Sequence, residues 1–172
     1  YRVTQNSTVL AAVHGCLAQI FFALTVALAT FTGRDWLSDA RPTPDVKGVR
    51  VRAVVVVFLM AAQIGLGAVL RHFSGRHAAY AHAVFGVVIF GVAAHLFVRI
   101  RRHDPPKPSL RSAACLLEVF SGVQILLGLI AFVMLWPFDG MPRPVTFSQA
   151  VVRTLHQTNG AVLLAASVVT AL

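Results

Sequence analysis

The sequence predicts an all-helical membrane protein that crosses the bilayer five times. Hydrophobic residues make up 57% of its 172 residues and charged residues only 12%, against roughly 45–50% and about 25% in soluble domains. The apolar residues are concentrated in five stretches, each near the roughly 20 residues that a transmembrane helix needs. Helices are predicted throughout, because backbone groups in lipid must be hydrogen-bonded within their own segment and no stretch alternates as a membrane β-strand does.

The five predicted spans, A to E, are residues 7–31, 51–70, 78–98, 112–136 and 148–172. Each of the first four is followed by residues that interrupt helices, chiefly glycine and proline. These interruptions lie at 32–33 and 41–44 after span A, at 74–75 after B, at 104–108 after C and at 137–144 after D. The connections between the spans are therefore predicted to lie at these interruptions.

The basic residues predict the orientation of the spans. The net charge is +9, and the charges flank apolar stretches, which excludes a nucleic-acid-binding surface on a soluble fold. Five lysines and arginines lie in the A–B connection or at the start of span B, and five lie between C and D, whereas the B–C and D–E connections carry few. The excess of positive charge on cytoplasmic loops places A–B and C–D in the cytoplasm. The Arg99–Arg102 cluster would also suit an anionic-lipid site.

The ends and the cysteines carry two further expectations. The chain begins at Tyr1 and ends within an apolar run at Leu172, so we expect a piece of a longer membrane protein. Cys16 and Cys115 both lie inside spans, which predicts neither a disulfide framework nor a Cys-x-x-Cys metal site.

Three histidines lie at one predicted depth in the membrane. His14 is about seven residues into span A, His82 about four into C and His156 about eight into E, so at 1.5 Å per residue their depths agree within roughly 6 Å. All three spans begin on the outer side, which places the imidazoles in the outer leaflet. Ionisable side chains at such depths are expensive and usually functional.

The neighbours of these histidines favour haem as the ligand. Gly86 follows His82, and Gly160 follows His156, by four residues, one turn away on the same helix face. A missing side chain there would give a flat macrocycle clearance beside the imidazole, as axial haem ligation in a helix bundle requires. Histidines alone would also fit zinc or a proton relay, and a lone intramembrane histidine can simply bond a neighbouring polar group.

A second element repeats in spans B and D. Residues 63–67 and 124–128 share the pattern Gln-Ile-x-Leu-Gly, so histidine-bearing and glutamine-bearing spans alternate as a tandem repeat of helix pairs. The glycines of this pattern are interpreted as small residues for close helix packing, with the glutamines bonding across helices.

The segments 13–24, 63–72, 123–128 and 154–164 together resemble the haem A synthase family. Its members have eight transmembrane helices in two similar four-helix bundles, each with a histidine on its second and fourth helix. The resemblance aligns this chain with the fourth to eighth helices. It implies that residues 1–32 hold the last helix of an incomplete N-terminal half, 33–50 a cytoplasmic linker, and 51–172 a C-terminal half that binds haem b.

By this resemblance, His82 and His156 ligate a resident haem b, while His14 belongs to the site where the methyl group of the substrate, haem O, is oxidised to a formyl group. Arg71 and Arg153 would pair with haem propionates; anchoring at the membrane interface is the alternative. The implied protein is a multi-pass inner (cell) membrane oxidoreductase of haem biosynthesis and cytochrome oxidase assembly. Its implied partners are lipid, haem O synthase and an electron donor, and homo-oligomerisation is left open.

Two other functions share parts of this pattern. A membrane b-type cytochrome without oxygenase activity would also need paired transmembrane histidines. A non-haem membrane protein built on helical repeats would need only the repeat, and the absence of a haem spectrum would distinguish it.

Overall fold

The computed structural model describes residues 7–38, 48–73, 75–102, 108–136 and 144–172. Their regular structure is entirely helical, which confirms the predicted fold class. The six helices are α1 (Thr8–Phe31), α2 (Arg34–Ser38), α3 (Val49–Phe73), α4 (Arg76–Arg101), α5 (Pro108–Leu135) and α6 (Phe147–Ala171). Spans A to E correspond to α1, α3, α4, α5 and α6. The short helix α2 lies in the stretch predicted as linker.

Some predicted features lie outside the described residues. They are residues 39–47, which form most of the proline-containing A–B linker, and residue 74 at the tip of the B–C loop. They also include residues 103–107 of the C–D loop, with His103, and residues 137–143 of the D–E loop, with Arg143.

The helix starts follow local sequence rules. The Ser7 side chain caps α1 by accepting from the backbone N–H of Leu10. Thr146 and Gln149 form a reciprocal capping box at the start of α6, which satisfies backbone N–H groups that a helix start leaves unpaired. Gly75 precedes α4 with a φ of 119°, a conformation that glycine adopts without steric penalty.

The helices α3 to α6 form an antiparallel four-helix bundle. Each packs on its sequence neighbour, and α3 packs on α6 to close the ring. Within the described residues, α1 packs on α3 and α6 only, apart from its contact with α2. The whole length of α1 therefore lies on the outside of the bundle, and none of its residues is buried.

The two ends of the bundle differ in how they are filled. One apolar cluster joins the first half of α3 and α5 to the second half of α4 and α6. Its fully buried side chains include Val56, Leu96 and Leu117. Because the helices alternate in direction, these segments share one end of the bundle, which we call the packed end. The other end contains the histidines.

The chain has the character of a multi-pass membrane protein. α1, α3, α4 and α5 are each long and apolar enough to cross a membrane. α6 is long enough, with 25 residues, but it is not apolar enough to be counted with these four. Its first half carries arginine, histidine and amide side chains. Large apolar residues face outward along the bundle, among them Phe21, Phe58 and Val133, which are 73%, 69% and 65% exposed. On a soluble monomer such surfaces would be too extensive, whereas lipid accommodates them.

Candidate functional site

A cavity of about 1300 Å³ occupies the end of the bundle opposite the packed end. Ligand pockets for small molecules span about 300–1,000 Å³, so this cavity would accommodate a large ligand. α1, α3, α4, α5 and α6 all contribute to its walls. Its polar lining includes Gln19, Gln63, Arg71, His72, His82, Gln124, Arg153 and His156.

His82 and His156 meet across the bundle inside this cavity. Their ring centroids are 6.1 Å apart and the ring planes make an angle of 68°. The two residues come from α4 and α6, which occupy diagonal positions in the ring of four helices. The similar depth predicted from the sequence is thus realised as side-chain proximity.

The separation of the two rings suits two ligands of one metal ion. Bonds of about 2.0–2.1 Å from a metal to one nitrogen of each imidazole would hold the ring centroids roughly 5 Å apart at a tetrahedral angle and roughly 6.4 Å apart at a straight one. The observed 6.1 Å lies within that range. Nδ1 of both rings is buried without a hydrogen-bond partner among the described residues, and buried polar atoms normally have one.

A protein site with three or more ligands is a poorer fit. Within the described ranges, no three histidine, cysteine or acidic side chains lie close enough together to hold a metal ion. Structural zinc normally takes four protein ligands, whereas a haem iron receives four nitrogens from its own macrocycle and needs only axial ligands from the protein.

Two glycines bring these histidines close to the neighbouring helices. A Cβ built on Gly67 of α3 would lie 3.1 Å from Cε1 of His82. A Cβ built on Gly128 of α5 would lie 3.2 Å from Cε1 of His156. Both glycines come four residues after the glutamine of the repeated pattern, but the sequence interpretation assigned them to helix packing alone. The repeated pattern indicated that these two glycines have a common role, but it does not indicate that a histidine ring packs on each of them.

Gly86 and Gly160, which were predicted to give a macrocycle clearance beside the histidines, are each in contact with a glutamine side chain. A Cβ on Gly86 would lie 3.0 Å from Nε2 of Gln63, and one on Gly160 would lie 3.3 Å from Nε2 of Gln124. Each helix pair therefore packs reciprocally: the histidine lies on a glycine of the preceding helix, and the glutamine lies on a glycine of the following helix. Direct clearance for a macrocycle at Gly86 and Gly160 stays a prediction.

Gln63 and Gln124 hydrogen-bond to different parts of the histidines that they contact. Nε2 of Gln63 donates to the backbone carbonyl of His82 at 2.8 Å. Nε2 of Gln124 lies 3.2 Å from Nε2 of the His156 ring. Thus only the second glutamine bonds to the imidazole itself.

Asn159 is a site residue that the sequence interpretation missed. It is 8% exposed, and its Nδ2 donates to the Phe120 carbonyl at 2.9 Å and to Oε1 of Gln124 at 2.7 Å. A buried carboxamide in an apolar helix, one turn from a histidine, was the available signal, because buried amides are expensive unless hydrogen-bonded.

His14 is placed apart from the pair. It lines the cavity from α1, the helix packed outside the bundle, and its side chain is exposed. Gln19 of the same helix also lines the cavity, and its Oε1 is buried without a partner in the described part of the chain. The structure therefore brings His14 to the same cavity by a different helix, while His82 and His156 form the close pair.

Arg71 and Arg153 both line the cavity, and their pairing with haem carboxylates stays a prediction. Nη1 of Arg71 donates to Oε1 of Gln157, which joins α3 to α6. His77 lies five residues before His82 on the same helix and would be the alternative ligand by sequence, but it is exposed and absent from the cavity lining. His95 is exposed near the packed end.

Comparison of the chain with protein-family models, with curated proteins and with solved structures finds no match.

Proposed function

We propose that this chain binds haem b through His82 and His156 and belongs to a haem A synthase-like membrane oxidoreductase. The observation that carries the proposal is the histidine pair, with ring centroids 6.1 Å apart, in a cavity large enough for a macrocycle. Haem b bound there would supply electron transfer between its ferric and ferrous states.

The chain's own residues would do three things for such a ligand. The two imidazoles would hold the iron from opposite sides of the bundle. Gly67 and Gly128 let those imidazoles lie close against α3 and α5, which limits their rotation. The guanidinium groups of Arg71 and Arg153 would attract the carboxylates of the ligand.

The proposed reaction is oxidation of the methyl group of haem O to a formyl group. His14 is the proposed residue of the site for that substrate, because it lies on α1, outside the bundle that holds the close pair. That oxidation takes four electrons from the methyl carbon and adds one oxygen atom, so it would need molecular oxygen as the oxidant. The unidentified electron donor would supply the electrons for the reduction of oxygen to water, and haem b would supply electron transfer between them. Haem O synthase is the expected supplier of the substrate.

A b-type electron carrier is the second candidate. It is favoured by the fact that both proposed ligands and their contacting glycines and glutamines come from α3 to α6 alone. Conversion of added haem O to haem A would support the synthase. Reversible reduction without conversion would support the carrier.

Absorption and paramagnetic-resonance spectra of purified variants test the proposed ligands. Loss of either imidazole removes one axial bond, so we expect His82→Ala and His156→Ala each to lose the low-spin signal of a haem with two histidine ligands. His77→Ala is the matched control, because His77 lies on the same helix outside the cavity lining, and its spectrum should match the wild type. Retention of the low-spin signal in His82→Ala or His156→Ala would overturn the ligand assignment.

The proposed orientation places the packed end in the cytoplasm and the cavity toward the outer face of the inner membrane. Arg50, Arg52, Arg101, Arg102 and Arg111 all lie at the packed end, as cytoplasmic basic residues do. In a variant without Cys16 and Cys115, a membrane-impermeant thiol reagent should label Arg76→Cys from outside and leave Arg102→Cys unlabelled. The reverse pattern would invert the topology.

A further inference from the structure

Three hydrogen-bonded side chains determine which atom Gln124 presents to His156. The carbonyl oxygen of Phe120 can only accept, so the Asn159 atom 2.9 Å from it must be the donating nitrogen. The same nitrogen lies 2.7 Å from a side-chain atom of Gln124, which must therefore be the amide oxygen. The remaining atom, the amide nitrogen of Gln124, faces the imidazole.

The amide nitrogen of Gln124 in turn determines the tautomer of His156. An amide nitrogen donates and does not accept, so Nε2 of His156, 3.2 Å away, must carry its lone pair. In the neutral ring the proton then lies on Nδ1. That tautomer is the less common one for a histidine in water, where the proton prefers Nε2.

This hydrogen bond and a metal bond at His156 exclude each other. A metal on Nε2 would need the lone pair that Gln124 occupies. A metal on Nδ1 would require the proton to move to Nε2, where it would oppose the N–H of Gln124. Rotation of the Gln124 amide by half a turn does not solve this conflict, because it would direct an N–H group at the N–H of Asn159.

The geometry assigns to Gln124, oriented by Asn159, the role of a releasable cap on Nε2 of His156. The cap is a positioning device: it keeps a polar ring hydrogen-bonded within the apolar bundle and must turn away for His156 to ligate a metal. The identification of the ligand as haem b rests on the proposed function. The orientation of Gln124 and the tautomer of His156 do not depend on it.

In the part of the chain that the structure describes, no side chain caps the His82 ring in this way. Its partner glutamine, Gln63, donates to the backbone carbonyl of His82. Phe85 stands three residues after His82, as Asn159 stands three after His156, so the amide that orients Gln124 has no counterpart in the first helix pair. The two proposed ligands are consequently unequal, and His82 is the one that can ligate without displacing a side chain.

The tautomer can be measured without haem. Nitrogen-15 NMR of the full chain, purified from haem-deficient cells with labelled histidine, should show His156 protonated on Nδ1. Gln124→Leu and Asn159→Leu should both move that proton to Nε2. Gln63→Leu is the matched control and should leave His156 unchanged.

Titration of the same proteins with ferric haem b, followed by the low-spin Soret absorption, measures the competition. Gln124→Leu removes the cap and should bind haem b about two- to tenfold more tightly than wild type. This range is expected because one net hydrogen bond no longer has to be broken before the metal binds. Gln63→Leu removes a bond to a backbone carbonyl and none to an imidazole, so it should not bind haem b more tightly than wild type. A supporting hydrogen bond to a metal ligand would give the opposite sign, with weaker binding on its removal.

The outcomes separate the two proposals. A His156 ring protonated on Nε2 in the wild type would overturn the cap. So would unchanged or weaker haem binding by Gln124→Leu when the wild type gives a low-spin complex. If neither the wild type nor any variant binds haem, the proposed function fails, and the NMR result alone decides whether Gln124 caps the ring.

Discussion

The two helix pairs of the bundle, α3–α4 and α5–α6, share one packing pattern but use it differently. In both, a histidine lies on a glycine of the preceding helix, and a glutamine lies on the glycine one turn after that histidine. In α5–α6 the glutamine bonds to the imidazole, whereas in α3–α4 it bonds to a backbone carbonyl. One position accounts for the contrast, since Asn159 orients Gln124, whereas the first helix pair has Phe85, which cannot donate a hydrogen bond, at the equivalent sequence position.

The comparison shows which features of a repeat are general and which are local. Glycine is needed in both pairs because a Cβ would press on a neighbouring side chain in both. The hydrogen bond to the ring requires an additional oriented donor, which only one pair has. A repeated scaffold can therefore hold two like ligands in unlike surroundings.

The largest expected effect tests what the two pairs share. Gly67→Leu and Gly128→Leu should each lower the affinity for haem b by about tenfold or more, because a side chain at either position must displace the imidazole. Gly65→Leu and Gly122→Leu are matched controls on the same helices, since a Cβ at either meets nothing within 4 Å. Haem titration of the four variants, with helix content checked by circular dichroism, makes the measurement.

A large loss of haem b affinity in only one of Gly67→Leu and Gly128→Leu would contradict the shared packing. Equal losses at the control positions would mean that leucine disturbs these helices in general. Binding at wild-type strength in both Gly67→Leu and Gly128→Leu would remove the glycines from the site.

The helices themselves were largely predictable from the sequence. The predicted span 78–98 lies within the observed α4, Arg76–Arg101, because the length of an apolar run and the glycines and prolines that end it are local properties. The approach of His82 to His156 followed from their similar depth in helices of the same direction. The helix α2 was missed because five residues within a polar linker carry no membrane-spanning signal.

The lateral contacts were not predictable in the same way. That Gly67 would face His82 depends on the rotation of α3 relative to α4, which neither helix determines alone. The role of Asn159 depends on a carbonyl 39 residues earlier and on the amide of Gln124. Such contacts involve separate helices, so reading each span by itself could suggest polar site residues but not their partners.

The next effect concerns the position at which the pairs differ. Asn159→Leu should lower the free energy of unfolding by about 1–3 kcal/mol, since the buried Oε1 of Gln124 loses its donor. Phe85→Leu, the matched change in the other pair, replaces one apolar side chain by another and should cost less than about 1.5 kcal/mol. Unfolding in mixed micelles by increasing denaturing detergent compares the two variants. A loss at Phe85 that exceeds the loss at Asn159 would show that apolar packing, and not hydrogen bonding, dominates at this position.

The smallest expected effect concerns the bond that joins the two pairs at the cavity. Arg71 of α3 donates to Gln157 of α6, and both side chains are exposed. Solvent and lipid headgroups can replace such a bond, so Gln157→Ala should change the free energy of unfolding by less than about 1 kcal/mol.

The same contact separates a structural from a binding role for Arg71. If its guanidinium attracts a carboxylate of the ligand, Arg71→Ala weakens haem b binding by a few-fold, whereas Gln157→Ala, which leaves the guanidinium in place, changes binding by less than twofold. Haem titration of both variants at low and high salt measures this difference, which should shrink as salt screens the charge. Equal weakening by the two substitutions would mean that Arg71 acts through its bond to Gln157 and serves to hold the helix pairs together.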